Sequence, residues 1–258
     1  MKVVILCGGL GTRLREETEY RPKPMVPVGN RPILWHIMKH YASYGYKEFI
    51  LCLGYKGEVI KDYFRNYHWN TSDVTMKLGK NPKITWHKCH DEEDWTVTMI
   101  DTGDKTMTGG RLSRVLKFID EEEFLLTYGD GVSDVNISKA IEFHRAKGAE
   151  VTLTAVRPGG RFGELGLESG MVTSFLEKPE DSPAYINGGF FVMNKKGIAD
   201  LLTGDDCMLE RDPLEKLSQA GKLAAFEHNG FWQCMDNLRE MALLNDLWNS
   251  GNAPWKSW

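Results

Sequence analysis

The amino-acid sequence predicts an α/β protein: a mostly parallel, Rossmann-like mixed sheet flanked by helices, with antiparallel strands added in the C-terminal half. Two observations predict this fold class. Over about the first 150 residues, short apolar runs alternate with stretches of helical periodicity, a pattern typical of a parallel sheet. From Val151 onwards, strand-like runs follow one another without intervening helices, which favours antiparallel pairing.

The elements of the first half follow from these periodicities. Residues 2–7 are apolar and β-branched without alternation, as expected of a strand buried on both faces. Residues 33–44 have helical spacing between Pro32 and Gly45, residue types that often begin and end a helix. The remaining predictions are a strand at 49–53, a helix at 57–67, a strand at 96–100, a helix at 112–119, a strand at 124–128 and a helix at 137–147.

The second half predicts a hairpin, a further strand and three helices. The hairpin strands are residues 163–167 and 171–176, on either side of Glu168-Ser-Gly170. The further strand is 185–193, and the helices are 195–202, 213–220 and 238–248. Residues 253–258 carry two tryptophans, which predicts that this segment packs within the chain or on a neighbouring subunit.

Composition excludes several classes of partner. The formal net charge is −4 and the basic residues are scattered, so no nucleic acid is expected. No apolar run approaches a membrane span and no signal peptide is recognisable, so no membrane partner is expected.

The five cysteines form no CxxC pair, which indicates a reduced, cytoplasmic protein. No repeat or linker divides the sequence, so we predict one domain over residues 1–258.

A glycine-rich segment, Gly8-Gly-Leu-Gly-Thr-Arg13, directly follows the first predicted strand. It therefore lies at the carboxyl end of a parallel sheet, where α/β proteins bind ligands. It matches neither the P-loop nor GxGxxG, and an ordinary turn is the alternative. Arg13 and Lys23, which stands between two prolines, favour phosphate binding, because they would neutralise oxygens cradled by the loop N–H groups.

Two acids end apolar stretches in the same manner. Asp130 lies between Gly129 and Gly131 after the strand at 124–128, and Asp236 ends the stretch 231–236. Two carboxylates together with phosphate oxygens are a typical Mg²⁺ site. A turn aspartate that caps the helix at 137–147 is the alternative for Asp130.

Further polar residues are candidates for a second substrate. Lys178, in Glu177-Lys-Pro179, would meet its phosphate, and Arg161 and Asn187 would line its pocket, with surface turns as the alternative. His36 and His40 share a helix face at zinc-ligand spacing, but the HExxH glutamate is missing, so helix packing is favoured. The sequences His87-Lys-Cys-His90 and Asp101-Thr-Gly103 lack the partners that a metal site or an aspartic protease needs.

These motifs resemble the sugar-phosphate nucleotidyltransferases, whose signature is a GGxGTRL loop followed by PKP, here residues 8–14 and 22–24. Within that family the sequence is most similar to the cytidylyltransferases that act on glucose 1-phosphate. The similarity runs nearly end to end and includes Gly54-Tyr-Lys-Gly57, Met107-Thr-Gly-Gly-Arg111, Thr127-Tyr-Gly-Asp-Gly131, Asn187-Gly-Gly-Phe-Phe191 and Ala253-Pro-Trp-Lys256.

The resemblance implies a reaction and a set of site residues. CTP and α-D-glucose 1-phosphate would give CDP-glucose and pyrophosphate with Mg²⁺, in a homo-oligomer, trimer or hexamer, that supplies bacterial surface-polysaccharide synthesis. Residues up to about 150 would bind the nucleotide, and the rest would bind the sugar and form the oligomer. Arg13, Lys23 and Asp130 would be catalytic, and Asp130 and Asp236 would hold the metal. The substrate-binding residues would be Leu6, Cys7, Gly8, Gly9, Leu10, Gly11, Thr12, Arg13, Lys23, Thr106, Arg111, Gly129, Arg161, Glu177, Lys178 and Asn187.

Thr106 and Arg111 would be the base contacts. Cytosine N3 is an acceptor, whereas N3 of uracil or thymine carries a proton, and Arg111 can only donate. A guanidinium aimed at N3 would therefore penalise uracil by about 1–3 kcal/mol. Three alternatives stay open: Arg111 on ribose or phosphate, the same reaction with dTTP, UTP or another sugar 1-phosphate, and a non-catalytic nucleotide-sugar sensor.

Overall fold

A computed structural model describes residues 1–89, 93–157, 164–168, 171–176 and 185–258, with backbone only for 164–168 and 171–176. The strands are β1 (Val3–Leu6), β2 (Pro27–Val28), β3 (Arg31–Pro32), β4 (Glu48–Leu53), β5 (Ser72–Lys77), β6 (Lys83–Cys89), β7 (Thr96–Asp101), β8 (Glu123–Tyr128), β9 (Gly131–Ser133), β10 (Val151–Val156), β11 (Glu164–Glu168), β12 (Met171–Leu176), β13 (Ile186–Asn187), β14 (Phe191–Asn194), β15 (Leu223–His228) and β16 (Trp232–Cys234).

The α-helices are α1 (Arg15–Thr18), α2 (Ile33–Ser43), α3 (Gly57–Arg65), α4 (Tyr67–Thr71), α5 (Thr108–Val115), α6 (Ile137–Lys147), α7 (Lys195–Ala199), α8 (Asp212–Gln219) and α9 (Leu238–Asn249). Short 3₁₀ turns cover Thr12–Leu14, Lys23–Met25 and Leu116–Phe118. Among the described residues, no helix combines the length and hydrophobicity needed to cross a membrane.

The central sheet is mixed and mostly parallel, as predicted. β8, β1, β4 and β7 pair in parallel in that order, and β10 and β15 form a second parallel pair. β14 joins the two groups by pairing antiparallel with both β8 and β10. One sheet therefore runs through both halves of the chain.

β1 is buried on both faces of this sheet. Val3 and Ile5 pack into a core shared with α2 and α6, whereas Val4 and Leu6 pack into a core shared with α5 and α8. All four side chains are at most 9% exposed. This double burial explains why the run is apolar without alternation.

The predicted single strand at 185–193 is wrong. It is two strands, β13 and β14, separated at residues 188–190. Gly189 has φ 80° and Phe190 has φ 44°, and a left-handed backbone interrupts the ladder with β10. Phe190 is held in that conformation by burial and by stacking on Tyr41 at 5.8 Å between ring centroids. The interruption lies next to Asn187, a candidate site residue.

Candidate active site

The glycine-rich segment leaves β1 at the carboxyl end of the sheet. Cys7 still donates a backbone hydrogen bond to Cys52 O at 3.0 Å, so the strand direction continues up to Gly8. The segment then closes on itself, because Leu14 N and the Thr18 hydroxyl both donate to Gly11 O, at 3.0 and 3.1 Å. The Arg13 side chain projects from this turn and is 72% exposed.

Lys23 is held between the two predicted metal ligands. Its Nζ lies 2.7 Å from Asp130 Oδ2 and 2.5 Å from Asp236 Oδ1. Arg13 Nη1 approaches the other oxygen of Asp236, Oδ2, at 2.9 Å. Burial alone would lower the pKa of Lys23, but the two carboxylates outweigh it and raise the pKa. Two cations and two acids, predicted separately, thus form one cluster.

A short ribbon brings Asp130 and Asp236 together although they are distant in sequence. β9 and β16 pair antiparallel directly after Asp130 and before Asp236, and Met235 N donates to Asp130 O at 2.8 Å. Glu240, 8% exposed, accepts a hydrogen bond from Asp236 N at 2.5 Å. This contact fixes the backbone that aims the Asp236 carboxylate.

Arg111 holds three segments around the glycine loop. It is buried, and Nη1 donates to Leu53 O at 3.0 Å and to the Thr102 hydroxyl at 2.8 Å. Nη2 donates to Gly8 O at 2.9 Å and to Asp104 O at 3.3 Å. In this conformation both terminal nitrogens are directed at protein oxygens. A role for Arg111 as base contact stays a prediction.

The glycine-rich segment, Lys23, Arg111 and Asp130 line a cavity of about 720 Å³, a size suited to a nucleotide. Thirteen predicted site residues line it: Leu6, Cys7, Gly8, Gly9, Leu10, Gly11, Thr12, Arg13, Lys23, Thr106, Arg111, Gly129 and Asp130. The cavity opens where β1 and β8 end, the place that α/β sheets use for ligands.

Tyr128 and Thr108 also line the cavity and were missed by sequence reasoning. Burial and Glu210 raise the pKa of Tyr128 far above its usual value, so its hydroxyl stays protonated. It donates to Glu210 at 2.7 Å and accepts from Asn187 Nδ2 at 3.1 Å. Tyr128 lies inside the Thr127–Gly131 motif and could have been found there, whereas Glu210 carries no sequence signal.

The comparisons with known proteins identify the family. The family model described as "Nucleotidyl transferase" matches residues 2–234. The chain belongs to this nucleotidyltransferase family. Glucose-1-phosphate cytidylyltransferase from Salmonella typhi is 55% identical over the whole of both chains. A probable glucose-1-phosphate cytidylyltransferase from Bacillus subtilis is 43% identical, also over both full lengths.

Solved structures confirm the nucleotidyltransferase fold. HddC from Yersinia pseudotuberculosis has a TM-score of 0.69 at 25% identity, covering 96% of this chain and 99% of that one.

Of the predicted residues outside the cavity lining, Asp236 contacts Lys23 and Asn187 contacts Tyr128. Arg161, Glu177 and Lys178 lie outside the described residues.

The two histidines of α2 are packing residues, as favoured from the sequence. His36 Nε2 and His40 Nε2 bond to Val28 O and Val135 O, both at 2.9 Å. Both rings are at most 2% exposed. Burial lowers the pKa of each to about 4, so they are neutral near pH 7.

Proposed function

We propose that this nucleotidyltransferase transfers a cytidylyl group from CTP to α-D-glucose 1-phosphate, giving CDP-glucose and pyrophosphate. The observation that carries the proposal is the 55% identity, over both full lengths, with the Salmonella typhi cytidylyltransferase. The 43% identical Bacillus subtilis relative bears a corresponding name. The alternatives with dTTP, UTP or a non-catalytic sensor are not favoured. A sensor should have lost a charged site residue, but Arg13, Lys23, Asp130 and Asp236 are all present.

The reaction needs two anions to be aligned and neutralised. A phosphate oxygen of glucose 1-phosphate attacks the α-phosphorus of CTP, and the bond from that phosphorus to the bridging oxygen of the β-phosphate breaks. The attacking oxygen is already anionic, so no general base is required. Loop N–H groups and the Lys23 and Arg13 cations stabilise the charge that moves onto pyrophosphate.

Asp130 and Asp236 fit a divalent cation. The gap between their oxygens already accommodates a cationic group, the Lys23 ammonium, at 2.7 and 2.5 Å. Hard carboxylate oxygens are also the ligands that Mg²⁺ prefers. These two residues would hold Mg²⁺, which when bound supplies positive charge to the phosphate oxygens. Mg²⁺ as cofactor is therefore part of the proposal.

The remaining assignments are proposals as well. Thr106 and Arg111 would contact the base, and Arg161, Glu177, Lys178 and Asn187 would form the sugar side. We also propose a homo-oligomer, trimer or hexamer, located in the cytoplasm, that supplies CDP-glucose for surface polysaccharide. Sedimentation velocity tests the oligomer directly, because the monomer mass is 29.4 kDa.

A substrate panel tests the central proposal. Pyrophosphate release would be measured with CTP, UTP, ATP, GTP and dTTP against glucose 1-phosphate, and then with galactose and mannose 1-phosphates. CTP and glucose 1-phosphate should give the highest kcat/KM, with CDP-glucose identified by mass spectrometry. A preference for UTP or dTTP would contradict the base assignment, and the absence of turnover with every pair would favour a sensor.

A further inference from the structure

Glu210 lies outside the cavity lining but binds two of the residues that form its walls. Its Oε1 accepts a hydrogen bond from the Tyr128 hydroxyl at 2.7 Å, and its Oε2 accepts one from the Thr108 hydroxyl at 2.6 Å. A carboxylate can only accept, so both hydroxyls donate to Glu210. The two side chains are therefore fixed by one common partner.

The two walls belong to different parts of the fold. Thr108 is the first residue of α5, the helix that also carries Arg111. Tyr128 is the last residue of β8 and is followed directly by Gly129 and Asp130. Glu210 thus connects the start of α5, which carries the proposed base contact Arg111, to the end of β8, which is followed by Asp130.

Each hydroxyl also accepts a second hydrogen bond. Leu209 N donates to Thr108 Oγ1 at 2.9 Å, and Asn187 Nδ2 donates to the Tyr128 hydroxyl at 3.1 Å. The other end of the Asn187 amide, Oδ1, accepts from Gly189 N at 3.0 Å. The amide therefore has one satisfied orientation, and Tyr128 is one of the two groups that set it.

We propose that Glu210 is a positioning residue for the transfer reaction. Through Thr108 it fixes the nucleotide side of the cavity, and through Tyr128 it fixes Asn187 on the sugar side. This assignment rests on the proposed function, because Asn187 is placed on the sugar side there. Glu210 does not line the cavity and acts by keeping the two binding surfaces aligned, which matters because small misplacements of two reacting anions slow their reaction strongly.

The test separates the two branches by measuring KM for both substrates. Tyr128→Phe keeps the ring but removes the hydroxyl, so it should raise KM for the sugar 1-phosphate about tenfold and leave KM for the nucleotide within about twofold. Thr108→Val should have the reverse effect. Glu210→Ala should raise both KM values, and Glu210→Gln, which retains the shape and one acceptor, should recover most of the loss.

A double variant decides whether Glu210 is the link. If Tyr128 acts through Glu210, Tyr128→Phe should have little further effect on KM for the sugar 1-phosphate in the Glu210→Ala background. Additive effects, or an equal rise of both KM values in Tyr128→Phe, would overturn the proposal. If Glu210→Ala does not fold, Glu210→Asp, whose side chain is one methylene shorter, takes its place in this double-variant comparison, with the same expected and contradicting results.

The experiments distinguish a failure of the proposed function from a failure of this inference. If the wild type uses a nucleotide or sugar phosphate other than CTP and glucose 1-phosphate, the same KM split is measured with the pair that it uses. A correct split with a different pair would support Glu210 as positioning residue and reject the specificity. CDP-glucose formation without separate effects of Tyr128→Phe and Thr108→Val on the two KM values would support the specificity and reject Glu210 as positioning residue.

Discussion

Lys23 is the residue on which the charges of the site converge. Its ammonium lies between Asp130 and Asp236, the position where a divalent cation would also be most stable. The Lys23 and Asp236 side chains are 11% and 13% exposed, so solvent screens the contact between them weakly. If the proposed metal assignment is correct, lysine and metal compete for the same carboxylates until a triphosphate offers the lysine another partner.

Lys23→Met should tighten metal binding while lowering turnover. Removing the ammonium takes one cation away from both carboxylates and leaves Arg13 on Asp236, so Mn²⁺ affinity in the absence of nucleotide should rise about tenfold, roughly 1.4 kcal/mol. Electron paramagnetic resonance of free Mn²⁺ measures this affinity. Lys196→Met, at a side chain that is 90% exposed, is the matched control and should leave it unchanged. Weaker Mn²⁺ binding in Lys23→Met would contradict the competition.

Gly8 is required because Arg111 approaches it closely. A Cβ at Gly8 would lie 1.9 Å from Arg111 Nη1, whereas a Cβ at Gly9 would meet nothing within 4 Å. The guanidinium cannot move aside freely, because it is buried and bonded to four protein oxygens.

Gly8→Ala should therefore lower the melting temperature and Gly9→Ala should not. The displaced Arg111 would lose several hydrogen bonds in a buried site, at a cost of about 2–4 kcal/mol. Differential scanning calorimetry of the two alanine variants measures the difference. Equal melting temperatures would show that the loop and Arg111 separate easily.

At the scale of elements, α2 carries two buried histidines whose environment disfavours a second proton. His36 Nδ1 accepts a hydrogen bond from Trp255 Nε1 at 3.3 Å, and Nε2 bonds to Val28 O, so the ring is neutral with its proton on Nε2. His40 is similarly buried against Val135 O. Protonation of His36 at Nδ1 would place an N–H opposite the indole N–H of Trp255.

The free energy of unfolding should fall as the pH drops from 7 to 5. Each histidine has a pKa of about 4 in the folded protein and about 6.5 when unfolded, so the unfolded state binds more protons between these values. The expected loss is about 2 kcal/mol for each ring over that interval. Urea unfolding at several pH values measures it. His40→Gln should flatten the profile, whereas His87→Gln, on exposed β6, should leave the slope as in the wild type.

Elements with local signals were predictable and those shaped by distant contacts were not. The helix at 137–147 was predicted with correct bounds, because Asn136 caps its start and Gly148 ends it. By contrast, α5 begins at Thr108 and not at the predicted residue 112. Its first turn was missed because Gly109 and Gly110 disfavour a helix locally. They are tolerated because Cys207 and Asp205 pack where a Cβ would lie. β5 and β6 are an exception: they were missed although apolar and polar residues alternate in both, with Val74 and Met76 in β5 and Ile84 and Trp86 in β6.

At the scale of the whole molecule, long-range pairing assembles the candidate site. β14 pairs with β8 and β10, and this antiparallel insertion brings Asn187 to Tyr128. The glycine loop and the two acids were predictable as candidates because each follows or ends an apolar run, and Lys23 because it stands between two prolines. Their meeting at one cluster and the involvement of Glu210 depend on sheet order, which local sequence does not encode.

The segment at residues 253–258 packs within the chain, one of the two alternatives that its tryptophans left open. Trp255 is fully buried and stacks on Phe231 and Trp248, at 5.5 and 6.4 Å between ring centroids. Its indole N–H donates to His36 of α2. The last residues of the sequence are thereby joined to the same core as β1 and α2.

Trp255→Ala should lower the free energy of unfolding by about 3–5 kcal/mol, because it removes a large buried ring and leaves a cavity beside α2. Trp86→Ala is the matched control, since the same ring is 42% exposed on β6 and its loss should cost about 1 kcal/mol or less. Urea unfolding followed by circular dichroism compares the two without relying on tryptophan fluorescence. Trp255→Ala should also raise the pKa of His36, because loss of the neighbouring ring reduces the burial that lowers this pKa, and because Nδ1 would no longer face an N–H donor. Equal losses in both variants, with an unchanged His36 titration, would mean that the segment is not docked on α2 in solution.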